Sequence, residues 1–101
     1  MIYIIDHKDS FTYNVLHQLS LFDKTECDDY NEIDETKLKK ASVIVFSPGP
    51  GSPKDYPKTS KIYKKYKGIK KIIGICLGFQ QILFCEGGKI IEQKKIYHGF
   101  Q

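Results

Sequence analysis

Three short apolar runs, Ile2–Ile5, Ser42–Phe46 and Ile72–Ile75, are each followed by a loop and then by a helical pattern. Runs of this length bounded by turn residues read as buried strands. Strands that alternate with helices from the first residue need crossover connections, so the expected sheet is parallel with helices on both faces. Asp9 or Ser10 can cap a first helix with Phe11, Val15, Leu19 and Phe22 on one face. Residues 25–30 read as an exposed second strand and Asp34–Lys40 as a short polar helix. Ser47–Asp55 is a loop, and a lysine-faced helix follows and ends near Gly68. The helix after the last run, whose pattern is clear from Gln80, extends to about Glu86. Gly87-Gly88 breaks it and Lys89–Glu92 reads as a fifth strand. Residues 94–101 carry no clear pattern. One α/β domain over residues 1–101 is expected.

In such sheets the functional loops lie beyond the carboxyl ends of the strands. Three loops stand there: Asp6–Ser10, Ser47–Ser52 and the turn at Cys76. Cys76 lies in Gly74-Ile75-Cys76-Leu77-Gly78, between a strand and a helix. This is the glycine-x-nucleophile-x-glycine elbow with a thiol in the nucleophile position. The glycines are expected to tolerate a strained backbone, and the helix N-terminus to favour thiolate. The other thiols have weaker settings. Cys85 is expected to pack in the core, and Cys27 stands among Glu26, Asp28 and Asp29, where negative charge opposes ionisation. With three cysteines and no C-x-x-C pair, neither a disulfide framework nor a metal site is expected, and no cofactor is implied.

Ser47-Pro48-Gly49-Pro50-Gly51-Ser52-Pro53 holds three prolines and two glycines in seven positions. A rigid loop with a few selected amide donors is what an oxyanion hole requires, although a plain turn has the same composition. Beside a cysteine elbow the functional reading is the better one. In Asp6–Asn14, His7 and Lys8 read as solvent-facing loop residues, and His17 as a packing or partly exposed residue of the first helix. His98 has no acidic orienter after it, so it is not expected to serve as the base of a triad.

The remaining classes are bounded by charge. The net charge is +4, yet all 16 basic residues are lysine, and the absence of arginine argues against a dedicated nucleic-acid binder. Lys58, Lys61, Lys64 and Lys65, with Tyr63 and Tyr66, fit the solvated face of a helix. No apolar stretch is long enough for a membrane span, and Asp6 interrupts the first run too early for a signal peptide, so a cytoplasmic protein is expected.

Together the three clusters resemble the class I (triad) glutamine amidotransferases, and within them the glutaminase subunits of anthranilate synthase and aminodeoxychorismate synthase. Asp6–Asn14 is similar to the D-x-x-D-S-F-T-Y-N opening, Ser47–Pro53 to the S-P-G-P-G-x-P loop, and Gly74–Gln80 to G-[IV]-C-L-G-H-Q. Gly87-Gly88 and His98-Gly99 match a G-G and an H-G pair. The resemblance implies an α/β, flavodoxin-like parallel sheet with helices on both faces, truncated after about five strands. It implies that Cys76 attacks the carboxamide of glutamine, that the amides of Gly51 and Leu77 hold the oxyanion, and that Gly49, Pro50, Gly51 and Gln80 bind substrate. The implied partner is a chorismate-aminating synthase subunit that receives the ammonia. Tryptophan-pathway and folate-pathway subunits share these motifs.

The sequence departs from the family in two ways. It contains no H-P-E segment, from which the family draws its catalytic His and Glu, and Phe79 replaces the usual His after Gly78. The expectation is a glutaminase component inactive alone, either a truncated product or one half of a split subunit whose second polypeptide supplies His and Glu. The alternatives are a non-catalytic binding or regulatory remnant of the same fold, and an unrelated cysteine-elbow hydrolase using His98.

Overall fold

The computed structural model describes residues 1–9 and 12–87. Its elements are β1 (Ile2–Asp6), α1 (Thr12–Ser20), β2 (Thr25–Asp29), a 3-10 turn at Tyr30–Glu32, α2 (Glu35–Lys40), β3 (Val43–Phe46), a 3-10 turn at Pro53–Asp55, α3 (Pro57–Tyr66), β4 (Lys71–Gly74) and α4 (Leu77–Cys85). The four strands form one parallel sheet in the order β2-β1-β3-β4. The expected α/β architecture is therefore the observed one. The expected fifth strand, Lys89–Glu92, and the helix positions Ser10 and Phe11 lie outside the described residues.

Alternation along β1 creates two cores. Tyr3 and Ile5 join Ile44, Phe46, Leu38 of α2, Ile62, Tyr63 and Tyr66 of α3, and Leu77 and Ile82 of α4. Ile2 and Ile4 point to the other face, with Val45, Ile75 and Leu19 of α1. Helices thus cover both faces, as a parallel sheet requires. The edge strand β2 is half-buried and mostly polar. Cys27 packs there, and burial, then the charges of Asp6, Asp28 and Asp29, push its thiol up to about 11.

Several local expectations change. Phe22 falls beyond the end of α1 and is 83% exposed, whereas Val15 and Leu19 face the sheet. Tyr63 and Tyr66 are not on the solvated face of α3. They sit with Ile62 on its buried side, while Lys58, Lys61, Lys64 and Lys65 are exposed. Helix α4 begins at Leu77, directly after the cysteine, and not at Gln80. Cys85 packs against the larger core as expected, and His17 is exposed.

The strand ends stand level. Asp6 pairs with Asp29, Ile5 with Phe46, and Phe46 with Gly74. Pairing continues past the strands, because Ser47 N–H donates to Ile5 O at 3.2 Å and Ile75 N–H to Phe46 O at 3.0 Å. The loops after β1, β3 and β4 therefore start side by side on one edge.

His7 joins two of them. It is fully buried, not solvent-facing, because Tyr30 and Tyr56 pack on its ring at 5.7 and 4.6 Å. Its Nδ1 lies 3.0 Å from Ser47 O, an acceptor, so Nδ1 carries the proton. Nε2 then accepts from Thr59 Oγ1 at 2.8 Å. The His7 backbone amide donates to Ser47 Oγ at 2.8 Å. Burial is the main cause that lowers the His7 pKa from 6.5, opposed by the Ser47 bond and by the charges of Asp6 and Asp29.

Two outcomes follow from this packing. A methyl group on Gly78 would collide with the backbone of Phe46, so Gly78→Ala should lower stability by about 1–3 kcal/mol, read as a lower urea midpoint. An unchanged midpoint would mean that α4 can move off β3 at no cost. His7 stays neutral in the fold but ionises in the unfolded chain below its ordinary value of 6.5. Its contribution is thus complete above that pH and falls progressively as the pH drops below it. Melting temperatures across this window should decline in the parent chain and decline less in His7→Gln.

Candidate active site

Cys76 has φ 53° and ψ −109°, a conformation that L-residues avoid. Such a conformation costs on the order of 1–3 kcal/mol and persists only where the surroundings enforce it. Here the enforcement is close packing on both sides of the cysteine. Gly74 and Gly78 are in backbone contact with each other, and Gly78 also abuts the Phe46 backbone. The strain lies on the cysteine itself, and the flanking glycines serve chiefly to let strand and helix approach. Gly78 N–H donates to Ile75 O and Gln80 N–H to Cys76 O, both at 3.0 Å, which closes the turn and starts α4. The thiol is exposed, outside any disulfide, directly before the N-terminal amides of a nine-residue helix.

The proline-glycine loop is pinned along its length. At its start Ser47 is buried against His7, and Ser47 Oγ donates to Pro48 O at 2.9 Å. Tyr56 OH donates to Pro50 O at 2.6 Å. Ser52 N–H donates to the Asp55 carboxylate at 2.9 Å. Gly49 lies where a side chain would strike His7 and press on Leu77, so this glycine lets the loop rest against both other strand-end segments. Gly51 follows with φ +86° and is exposed, as is Pro50. The first strand's loop is built on Asp6, whose Oδ1 accepts from the amides of Lys8 and Asp9 and from Thr12 Oγ1 at the start of α1. Lys8 is exposed as expected, with φ 65°.

The structure thus brings Cys76, Leu77, Gly49, Pro50 and Gly51 to one edge of the sheet. Gln80 is exposed on α4 and borders an open groove of about 540 Å³ with Leu83, Phe84 and Gly87; no residue of the loop 47–52 lines it. His98 lies outside the described residues. Among the described residues, no group of His, Cys, Asp and Glu could hold a metal ion, and no helix is long and apolar enough to cross a membrane. Sequence reasoning missed Gln81, which is fully buried and whose Nε2 reaches Pro53 O at 2.9 Å, Tyr56 O at 3.1 Å and Ser60 Oγ at 2.7 Å. A signal was present, since Gln81 stands one helical turn after Leu77, on the same face.

Comparison with known proteins agrees with this arrangement. The family described as glutamine amidotransferase class-I matches residues 3–101. Anthranilate synthase component 2 of Lactococcus lactis is 40% identical over 100 residues, which cover 98% of this chain and 50% of that protein. The bifunctional protein TrpGD of Thermotoga maritima is 35% identical over 102 residues, covering 95% of this chain and 17% of that one. A crystal structure of a Thermoplasma acidophilum protein, described as one of the subunits of GMP synthase, superposes with a TM-score of 0.67 at 26% identity, over 85% of this chain and 44% of that one. The chain spans about half the length of the Lactococcus relative. With the elbow, the proline-glycine loop and the parallel sheet in place, the chain belongs to the class I glutamine amidotransferases.

Proposed function

We propose that this chain carries the nucleophile half of a glutaminase site, in which Cys76 opens the carboxamide of glutamine. The observation that supports this most is the left-handed backbone of Cys76 at the β4–α4 junction, with the Gly49–Ser52 loop resting against Leu77. Cys76 is exposed at that junction. The thiolate would add to the carboxamide carbon, and the charge that develops on oxygen would be held by the amides of Leu77 and Gly51. Each such donor is worth about 10²–10³ in rate. The adduct collapses once its nitrogen has taken up a proton, expelling ammonia and leaving a thioester that water hydrolyses to glutamate with return of the thiol. Gly49, Pro50 and Gln80 are assigned to glutamine binding.

The chemistry needs a base to take the thiol proton and an acid to deliver one to the leaving nitrogen. His7 is not that group, because both of its ring nitrogens are committed to Ser47 and Thr59. His17 lies on the outer surface of α1, and the sequence contains no His-Pro-Glu segment. We assign the base and its orienter to another segment or polypeptide. The ammonia is assigned to a chorismate-aminating synthase subunit. The names of the relatives favour the anthranilate branch, and so tryptophan synthesis, over aminodeoxychorismate.

Two measurements test this reading. A diazoketone analogue of glutamine should alkylate Cys76 and leave Cys27 and Cys85 unmodified, as seen by peptide mass mapping. Steady release of ammonia from glutamine by the 101-residue chain should be negligible. Modification away from Cys76 would remove the assignment of the nucleophile. Turnover that Cys76→Ala abolishes would show that these residues already supply a base.

A further inference from the structure

We infer that Gln81 is a positioning residue that fixes the height of the Gly49–Tyr56 loop over Cys76, so that a loop amide and the Leu77 amide meet the same oxygen. The inference rests on the glutaminase reading and adds to it a residue that does not touch substrate.

An amide nitrogen has two hydrogens, and Gln81 Nε2 has three acceptors within 2.7–3.1 Å, so the contacts share donors. They lie in the 3-10 turn, at its end and in the first turns of α3. The two carbonyls do not need Gln81 to be satisfied. Pro53 O already accepts from Tyr56 N–H, and Tyr56 O from Thr59 N–H, each at 3.1 Å. What Gln81 adds is a bond from the nucleophile's own helix to the loop. Its other half has no such return, since Oε1 is buried with no hydrogen-bond partner among the described residues. An unpartnered carbonyl in the core is unfavourable where a methionine of similar size would fit without one. A polar residue that weakens the core while tying together two parts of one site is explained by the tie. Leu77 and Gln81, one turn apart, place an oxyanion donor and the anchor of the opposing loop on a single helix face.

Gln81→Met tests the inference by two readouts. Hydrogen–deuterium exchange of the amides in residues 49–56 should become faster by at least about ten-fold, with protection of β1 and β3 retained. The melting temperature should fall by no more than about 8 °C. Modification of Cys76 by the diazoketone analogue should slow by at least about ten-fold, while its modification by iodoacetamide keeps the parent rate. Unchanged loop exchange, or exchange that rises equally in the strands, would overturn the tie. Equal slowing with both reagents would also overturn it, because the thiol and not the loop would then have changed. A parent chain that reacts with iodoacetamide but not with the analogue would overturn the positioning role by removing the glutaminase reading; the exchange data would show whether the tie itself exists.

Discussion

The contact on which this structure depends is between backbones: the first turn of α4 rests directly on β3 and β4. Gly78 touches Phe46, and Gly74 touches Gly78, with no side chain between them. This approach puts the helix start almost at the level of the sheet edge. The chain then has only Ile75 and Cys76 in which to turn from strand into helix, and Cys76 takes the left-handed conformation as a result. Strain at the cysteine is thus a consequence of packing several residues wide, and the two cores behind β3 and β4 supply the stability that holds it.

The same edge is completed by polar ties. His7 links the ends of β1 and β3 through Ser47 and reaches α3 through Thr59. Tyr56 caps Pro50, and Gln81 ties α4 to the turn after the loop. Prolines stiffen the loop locally, but its placement relative to Cys76 comes from these side chains. Rigid elements therefore present the candidate site, and buried hydrogen bonds hold its loops at a defined height.

Much of this was legible in the sequence. Buried strands announce themselves as apolar runs, so β1, β3 and β4 and their parallel arrangement were readable, as was the cysteine at a strand-to-helix turn. The edge strand Thr25–Asp29 was faint because it is half-buried and most of its side chains are polar. His7 was misread because its neighbours Asp6, Lys8 and Asp9 look like a solvated loop. The groups that bury it, Tyr30, Tyr56 and Thr59, come from distant parts of the chain. Tyr63 and Tyr66 were misplaced for a different reason. The lysines around them suggested solvent, while the i, i+3 spacing of the tyrosines put them beside Ile62 on the buried face. Gln81 escaped because the nucleophile motif ends at Gln80, although helical spacing from Leu77 pointed inward.

The central claim is that the thiol of a strained cysteine and two amide donors, one from the proline-glycine loop and one from the start of α4, converge on one carbonyl group, the thiol on its carbon and the amides on its oxygen. A crystal structure of the chain with the diazoketone analogue bonded to Cys76 addresses it most directly. The account predicts that the carbonyl oxygen of the adduct lies about 2.7–3.1 Å from the amide nitrogens of both Leu77 and Gly51. An adduct whose oxygen points to solvent, away from both amides, would contradict it.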